Sequence, residues 1–169
     1  NDNLVCIDFS IMFPQYVNKK TLASFEVKNV SSYARIACLN FTSDTNGVSL
    51  SVKSSKPKTD GTNGYSDRTI SFGNVISLKQ GKWNKIRLII DQVNKKYHLI
   101  ANELLVCTDI PYNSATMTSS NKLNYIYIGP AWSTVGSEVY YDDIYVRSLS
   151  ERQAIKMLLE GADEFMTSK

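Results

Sequence analysis

The sequence predicts an all-β domain, built as an antiparallel sandwich or barrel, with one helix at its C-terminal end. The first observation is that short runs of alternating apolar and polar residues, separated by turn signals, recur about every 8–12 residues as far as Arg147. The second is that the period becomes helical after Ser150. We expect a β domain over residues 1–148, followed at 149–169 by an amphipathic helix that packs on it or links it to a following domain.

The clearest strands are 4–13 and 83–91, where alternation separates a core face from an outer face. In the first, the core face carries Val5, Ile7, Phe9, Ile11 and Phe13, and the outer face carries Cys6, Asp8, Ser10 and Met12. In the second, the core face carries Ile86, Leu88 and Ile90, and the outer face carries Lys85, Arg87 and Asp91. Further strands are predicted near 22–27, 34–41, 47–53, 69–78, 96–101, 103–108, 124–129 and 138–147. The polar stretch 54–68 is either a long loop or a hairpin tip.

The C-terminal helix has a start signal and an apolar stripe. Ser150 and Gln153 have the spacing of a capping box. The stripe comprises Ile155, Leu158, Leu159, Ala162, Phe165 and Met166, about four turns. Its charges are mixed in sign, which disfavours a role on a membrane surface.

Composition excludes several classes of protein. The chain has 169 residues, 43% of them hydrophobic, and no apolar run of membrane-spanning length. Its net charge of +3 comes from scattered lysines, so neither nucleic-acid binding nor membrane insertion is expected. The odd number of cysteines (Cys6, Cys38, Cys107) favours buried thiols, with a disulfide between two of them left open. Because the chain opens on Asn1 and enters a strand at once, we expect a segment of a longer polypeptide.

Three segments, in this order, resemble the concanavalin A-like lectin/glucanase superfamily, especially its laminin-G-like and carbohydrate-binding-module branches. Gly81–Asp91 is similar to the strand "G-x-W-x-x-I-x-L-x-I-D" of those domains. Asn94–Glu103 is similar to the next strand, with Glu103 where a glycine usually stands. Tyr141–Val146, followed by Leu149-Ser150-Glu151, is similar to the penultimate strand and the "L-S-x-x-E/Q" that closes laminin-G-like domains.

The resemblance implies a jelly-roll of two packed antiparallel sheets. Members of this superfamily bind glycans or proteins on the concave face or its rim loops, sometimes with calcium. The resemblance also places Trp83 at the start of a strand, packed on the core. Fold alone does not define a ligand, so the site must be argued from side chains.

Catalysis is not expected, and we assign no catalytic residue. Glycoside hydrolases need two carboxylates flanking one bond, and in this superfamily they usually lie on one strand as "E-x-D-x-x-E", a run that is absent here. Asp142 and Asp143 are adjacent in a strand, so we expect them on opposite faces. Polysaccharide lyases of this fold typically use a Tyr/His/Arg/Gln cluster, but the single histidine, His98, lies mid-strand beside Tyr97.

A sugar site needs an aromatic platform and planar polar groups. Ile126 and Ile128 are expected to face the core, which leaves Tyr125 and Tyr127 on the outer face. Trp132 follows Gly129-Pro130-Ala131 in a loop, where it is expected to be exposed. With Arg87 and Asp142, the predicted ligand-binding residues are Trp132, Tyr125, Tyr127, Arg87 and Asp142. Each strand tyrosine can equally well cover a sheet surface without binding anything.

The aspartate pair Asp142-Asp143 admits two accounts. In the favoured structural account, one aspartate bonds backbone N–H groups or an arginine. The arginines on offer are Arg35, Arg68, Arg87 and Arg147. In the ligand account, one aspartate holds a sugar hydroxyl or calcium. No cofactor is assigned; calcium stays open because the turns at Asp44-Thr45-Asn46-Gly47 and Asp60-Gly61 carry oxygen ligands, although each is equally a plain turn.

The sequence therefore predicts a non-catalytic, lectin-like binding module of a larger protein that is extracellular, at a cell surface or associated with a virion. A glycan or polysaccharide is the expected partner. The alternative is a structural or adhesion domain, as in a phage tail fibre, that contacts protein.

Overall fold

The computed structural model describes residues 3–14, 21–29, 34–44, 47–57, 65–72, 78–113, 123–130 and 138–167. Within those ranges the chain forms ten strands and one helix. They are β1 Leu4–Met12, β2 Thr21–Asn29, β3 Ala34–Asp44, β4 Gly47–Pro57, β5 Tyr65–Ser71, β6 Asn84–Asp91, β7 Lys96–Ala101, β8 Leu104–Pro111, β9 Tyr125–Pro130, β10 Tyr140–Leu149 and α1 Glu151–Thr167.

The strands form two five-stranded sheets. The first sheet has the order β10-β1-β6-β7-β8, and the second sheet has the order β5-β4-β3-β2-β9. Each described pairing is antiparallel. This confirms the predicted all-β antiparallel fold with a C-terminal helix, and of the two expected arrangements it is the sandwich.

The core lies between the sheets and follows the period of two. The five core residues predicted at positions 5–13 are all buried, and they pack against residues of the second sheet. Phe9 of β1 stacks on Phe25 of β2 with ring centroids 4.0 Å apart, and Phe13 lies 5.5 Å from Phe41 of β3. Burying each such side chain contributes about 1.5–3 kcal/mol. These contacts place β1 above β2 and β3.

The helix covers one end of the outer face of the first sheet. Its capping box is formed as predicted: the Gln153 backbone N–H donates to Ser150 Oγ over 3.3 Å, and the Ser150 N–H donates to Gln153 Oε1 over 2.9 Å. Ala154 is buried with Cys6, Ile89 and Ile100 in a second, smaller apolar cluster. The start of the helix therefore packs against the first sheet.

The expectation that Trp83 packs on the core is wrong. Trp83 is 46% exposed, whereas Asn84 beside it is 1% exposed. The Asn84 amide fills the inward position by bonding backbone atoms of Lys79 (N–H and C=O), Lys82 (C=O) and Ile11 (C=O). Because adjacent strand residues point to opposite faces, Trp83 then points outward.

The expectation that Asp142 and Asp143 lie on opposite faces is also wrong. Asp8 pairs with Tyr145 but Ser10 pairs with Asp142, so β10 has one residue more than β1 over this stretch and forms a bulge. Asp143 has a left-handed backbone, with φ of 52°. Both carboxylates consequently face solvent on the outer side of the first sheet.

Smaller differences follow from strand pairing. The polar stretch 54–68 is a hairpin, because Pro57 pairs with Tyr65; its tip, 58–64, lies outside the described residues. The strand predicted at 69–78 is observed as Tyr65–Ser71. Ile126 packs against the core as expected, but Ile128 is 37% exposed because β9 is an edge strand.

Two further findings concern disulfide formation by the cysteines and the length of the helix. Cys6, Cys38 and Cys107 are all within the described ranges, and none forms a disulfide. In the part of the chain that the structure describes, the helix is not long and apolar enough to cross a membrane.

Candidate functional site

The outer face of the second sheet is a broad polar surface that strand pairing assembles from distant segments. Its residues alternate with buried core residues such as Phe25, Leu39 and Val52. Two cross-strand rows define it. One row is Tyr127, Glu26, Cys38, Lys53 and Thr69, and the other is Gly129, Ser24, Asn40, Ser51 and Ser71. We call these rows together the hydroxyl face, because short hydroxyl and amide side chains dominate the second row.

A buried carboxylate organises one end of the hydroxyl face. Glu26 is 8% exposed, and its Oε2 lies 2.5 Å from Lys28 Nζ and 3.3 Å from Arg35 Nε. These contacts are ion pairs by distance, without the directed geometry of hydrogen bonds at Oε2. Burying a carboxylate is costly unless cations such as these pair with it. The same ion pairs hold both cations in place at the surface.

Tyr127 lies flat on the sheet because the residue two positions on is a glycine. A Cβ atom at Gly129 would come within 2.6 Å of the Tyr127 ring atoms Cε1 and Cζ, so the phenol occupies the space of the missing side chain. Lys28 Nζ lies 5.0 Å from the ring centroid, a cation–π contact. The ring is thus oriented along the sheet surface and tied to the Glu26 cluster.

The predicted ligand-binding residues do not form one site. Tyr125 and Tyr127 lie together on β9, on the outer face of the second sheet. Arg87 and Asp142 lie on the first sheet, on β6 and β10. Trp132 lies outside the described residues.

Arg87 and Asp142 have structural partners on the first sheet. Arg87 Nε donates to Asp8 Oδ1 over 2.6 Å, and Arg147 Nη2 lies 2.8 Å from Asp8 Oδ2. The hydrogen bond to Asp8 raises the pKa of Arg87 although burial opposes it. Asp142 Oδ1 accepts the Asp143 backbone N–H over 2.8 Å. The structure therefore shows the aspartate-to-backbone bond of the structural account, while two of the arginines bond Asp8.

A depression of about 470 Å³ opens on the same face of the first sheet. Asp8, Ser10 and Arg87 line it, with Tyr145 and Asp143 from β10 and with Lys85 and Glu103 from the opposite side. A second hollow of about 300 Å³ also touches Arg87 and Glu103 and reaches Met157 and Glu160 of the helix. Tyr145 is 60% exposed, so its side chain stands free at the rim.

Sequence reasoning missed Asp8, Glu26 and Gly129. Asp8 stands on the polar face of a well-predicted strand, which was the only signal for it. Its partner, Arg87, lies 79 residues away, and their contact depends on the pairing of β1 with β6. The signal for Gly129 was a glycine two residues after a strand tyrosine. Glu26 gave no signal, because a single acid in a short strand ordinarily faces solvent.

The described nucleophilic and basic groups do not converge. His98 Nδ1 accepts the Asp109 backbone N–H over 3.2 Å, and burial lowers the pKa of His98. Burial raises the pKa of the Cys6 and Cys38 thiols to about 11, which makes them poor nucleophiles. His98 lies on the first sheet, whereas Tyr127 and Arg35 lie on the second.

No three His, Cys, Asp or Glu side chains come together as a metal site among the described residues. Of the two turns that offered oxygen ligands for calcium, the one at Asp44 is partly described and the one at Asp60 lies outside the described ranges.

Comparison with known proteins gives likeness in fold alone. No family model matches the sequence, and no curated protein matches it. A native heptameric SAP-like pentraxin from Limulus polyphemus matches with a TM-score of 0.51 and 15% identity, over 92% of this chain and 70% of the pentraxin. An endo-beta-1,4-glucuronan lyase from the fungus Trichoderma reesei matches with a TM-score of 0.52 and 13% identity, over 87% of this chain and 69% of the lyase. Both have concanavalin A-like jelly-roll folds, and the two-sheet sandwich described above is of the same class.

Proposed function

We propose that this chain is a non-catalytic carbohydrate-binding module and that the hydroxyl face is its glycan site. The observation that carries the proposal is the flat Tyr127 ring on Gly129, beside the cluster of Glu26, Lys28 and Arg35. Sugar rings stack on aromatic faces, and their hydroxyls bond planar charged groups and amides. This face offers both in one continuous surface.

The rest of the hydroxyl face suits an extended glycan. Ser24, Asn40 and Ser51 lie side by side on neighbouring strands, about 4.8 Å apart, and can exchange hydrogen bonds with successive hydroxyl groups. Their side chains are short, so a chain can lie close to the sheet. The polysaccharide named for the fungal lyase supports a saccharide ligand for this fold by analogy.

The proposal extends to location and to the parent protein. We infer an extracellular, cell-surface or virion-associated protein in which this domain recognises glycans. No catalytic role is assigned to any residue. Turnover of any member of a polysaccharide panel by the isolated domain would contradict the non-catalytic part of the proposal.

A glycan array, followed by calorimetry on the best ligand, tests the site. Tyr127→Ala is expected to lower affinity about fivefold or more, because each stacked ring contributes about 1 kcal/mol or more. Gly129→Ala is expected to do the same at unchanged stability, because the added Cβ displaces only the far end of the flexible Tyr127 side chain.

Tyr140→Ala is the matched control, since Tyr140 is an exposed tyrosine on the first sheet and should leave affinity unchanged. Absence of binding across the array, or full affinity in Gly129→Ala, would reject the hydroxyl face as a glycan site. Running the array with Ca²⁺ and with EDTA decides whether calcium takes part.

Trp132 and Tyr125 remain predicted members of this platform. Tyr125 is exposed on the same strand as Tyr127, two residues away. Trp132→Ala is expected to abolish binding if the tryptophan completes the platform, and unchanged affinity would remove it from the site.

One observation favours the alternative, a structural or adhesion domain that contacts protein. The edge strand β10 exposes Ile144 and Val146, and the edge strand β9 on the same side exposes Ile128. Exposed apolar residues on sheet edges are typical of protein contacts. Loss of self-association or of partner binding in Val146→Lys, together with a blank glycan array, would favour this function.

A further inference from the structure

The floor of the depression on the first sheet carries a guanidinium that is fixed in place. Asp8 holds Arg87 through Nε at 2.6 Å and contacts Arg147 through its second oxygen at 2.8 Å. Both carboxylate oxygens of Asp8 are thereby used. The bond to Nε leaves the N–H donors of both Arg87 Nη atoms outside it, and Arg87 lines the open depression.

The charges around Arg87 disfavour a ligand with two negative charges. Two guanidinium groups and one carboxylate leave the cluster of Asp8, Arg87 and Arg147 with one net positive charge. At the rim, Lys85 and Glu103 lie 3.8 Å apart and offset each other. Asp143 adds a negative charge to the lining, so the charges of these six residues sum to zero, which disfavours a dianion.

The side chains that line the depression favour an organic ligand over an inorganic ion. Tyr145 presents an exposed ring at one side of the depression, and Ile100 provides an apolar patch of the lining. Asp143 and Glu103 are acceptors for hydroxyl or amino groups of a ligand. A volume of about 470 Å³ admits a molecule of the size of one sugar or one amino acid.

We propose that this depression is a second binding site, separate from the hydroxyl face, for a small monocarboxylate that carries hydroxyl or amino groups. The planar carboxylate of the ligand accepts a forked pair of hydrogen bonds from Arg87, the geometry for which a guanidinium is suited. The body of the ligand lies against Tyr145. Asp8 is a positioning residue that fixes the plane of the Arg87 group.

Protein-observed NMR with a matched pair of sugars tests the site. D-glucuronate and D-glucose differ at one carbon, which is a carboxylate in the first and a hydroxymethyl group in the second. Glucuronate is expected to shift the Arg87 Nε–H and the Asp143 and Tyr145 amide signals saturably, and glucose is expected to leave them unchanged. Arg87→Gln should weaken glucuronate binding by about tenfold or more, since a charge-assisted hydrogen bond is lost.

Two variants keep the result interpretable. Arg87→Lys retains the charge without the fork, so it should also weaken binding, and it serves if Arg87→Gln proves unfolded. Lys79→Gln removes one positive charge outside the lining and should have no effect. Glucuronate binding at wild-type strength in a folded Arg87 variant would overturn the proposal, and so would equal shifts with inorganic sulfate. Tyr127→Ala is expected to leave the shifts intact, so failure of the glycan proposal would not affect this one.

Discussion

The buried side-chain amide of Asn84 fixes the direction in which the neighbouring side chains point. Its side chain accepts the Lys79 N–H over 2.9 Å and donates to the carbonyls of Lys79 and Lys82, each over 3.0 Å. It also accepts from Asn102 Nδ2 over 3.1 Å and thus joins two turns to the start of β6. A buried polar group with this many partners fixes register more firmly than an apolar residue can.

Asn84→Ala is therefore expected to destabilise the fold by about 2–3 kcal/mol, because several backbone groups lose their partner in a buried place. Urea unfolding measures the change. Asn94→Ala is the control: Asn94 bonds Asp91 at the surface, and its loss should change the free energy of unfolding by no more than about 0.5 kcal/mol. Equal effects of the two variants would show that Asn84 has no special role.

His98 gives the fold a pH dependence whose sign follows from its surroundings. Burial lowers its pKa, and Asp109 offsets this only in part. The folded state thus binds fewer protons than the unfolded state, so the contribution of His98 is fully present above the ordinary histidine pKa and is lost as pH falls. His98 is the single histidine of the sequence.

The free energy of unfolding is expected to decrease between about pH 7 and pH 5, where unperturbed carboxyl groups have not yet titrated. Chemical denaturation at a series of pH values measures it. In His98→Gln the slope over this interval should be smaller, since glutamine keeps a polar side chain without a titrating proton. An identical slope in both proteins would assign the pH dependence to other groups.

Among the elements, helix α1 depends on its cap. The Ser150 hydroxyl accepts the Gln153 N–H, a bond that alanine cannot make. Ser150→Ala is expected to cost about 1 kcal/mol, and Ser150→Gly only a few tenths, because glycine leaves the helix end open to water. Thermal or urea unfolding distinguishes them. If alanine and glycine cost the same, the cap bond does not stabilise the docked helix.

The turn between β7 and β8 uses one residue, Glu103, that is poorly suited to its backbone. Asn102 and Glu103 have φ of 48° and 72°, the left-handed pair of a two-residue hairpin. Glu103→Gly is expected to stabilise the protein by about 1 kcal/mol, since glycine has no Cβ penalty there. Asn102→Gly should not stabilise, because the Asn102 side chain accepts the Lys85 N–H over 2.9 Å. A rise in melting temperature for Asn102→Gly equal to that for Glu103→Gly would contradict this reasoning.

At the scale of the whole molecule, the sequence predicted those features that depend on residues close together in the chain. The core faces of β1 and β6 and the capping box could be predicted because each depends on residues a few positions apart. The bulge at Asp143 and the contact of Asp8 with Arg87 could not, since both depend on which strands pair and in what register. The candidate residues were therefore identified singly, and the structure divides the four described ones, Tyr125, Tyr127, Arg87 and Asp142, between two sheets.

This division predicts that the two faces act independently. The sheets of a sandwich lie about 10 Å apart, and substitutions at that distance without shared partners are additive. The double variant Tyr127→Ala with Arg87→Gln should change the free energy of unfolding by the sum of the single changes, within about 0.5 kcal/mol. A larger discrepancy would mean that the core transmits strain between the faces.

The two buried thiols, Cys6 and Cys38, also allow local opening to be measured by labelling. Cys6 lies beneath helix α1 on the first sheet, and Cys38 lies in the middle of the hydroxyl face on the second. Both thiols are buried, and burial raises their pKa to about 11, so we expect neither to react with a thiol reagent until its surroundings open. With Cys107 replaced by serine, the labelling rate at Cys6 would follow undocking of the helix, and the rate at Cys38 would follow breathing of the opposite sheet. The two native cysteines of one chain therefore record the motions of both its surfaces separately.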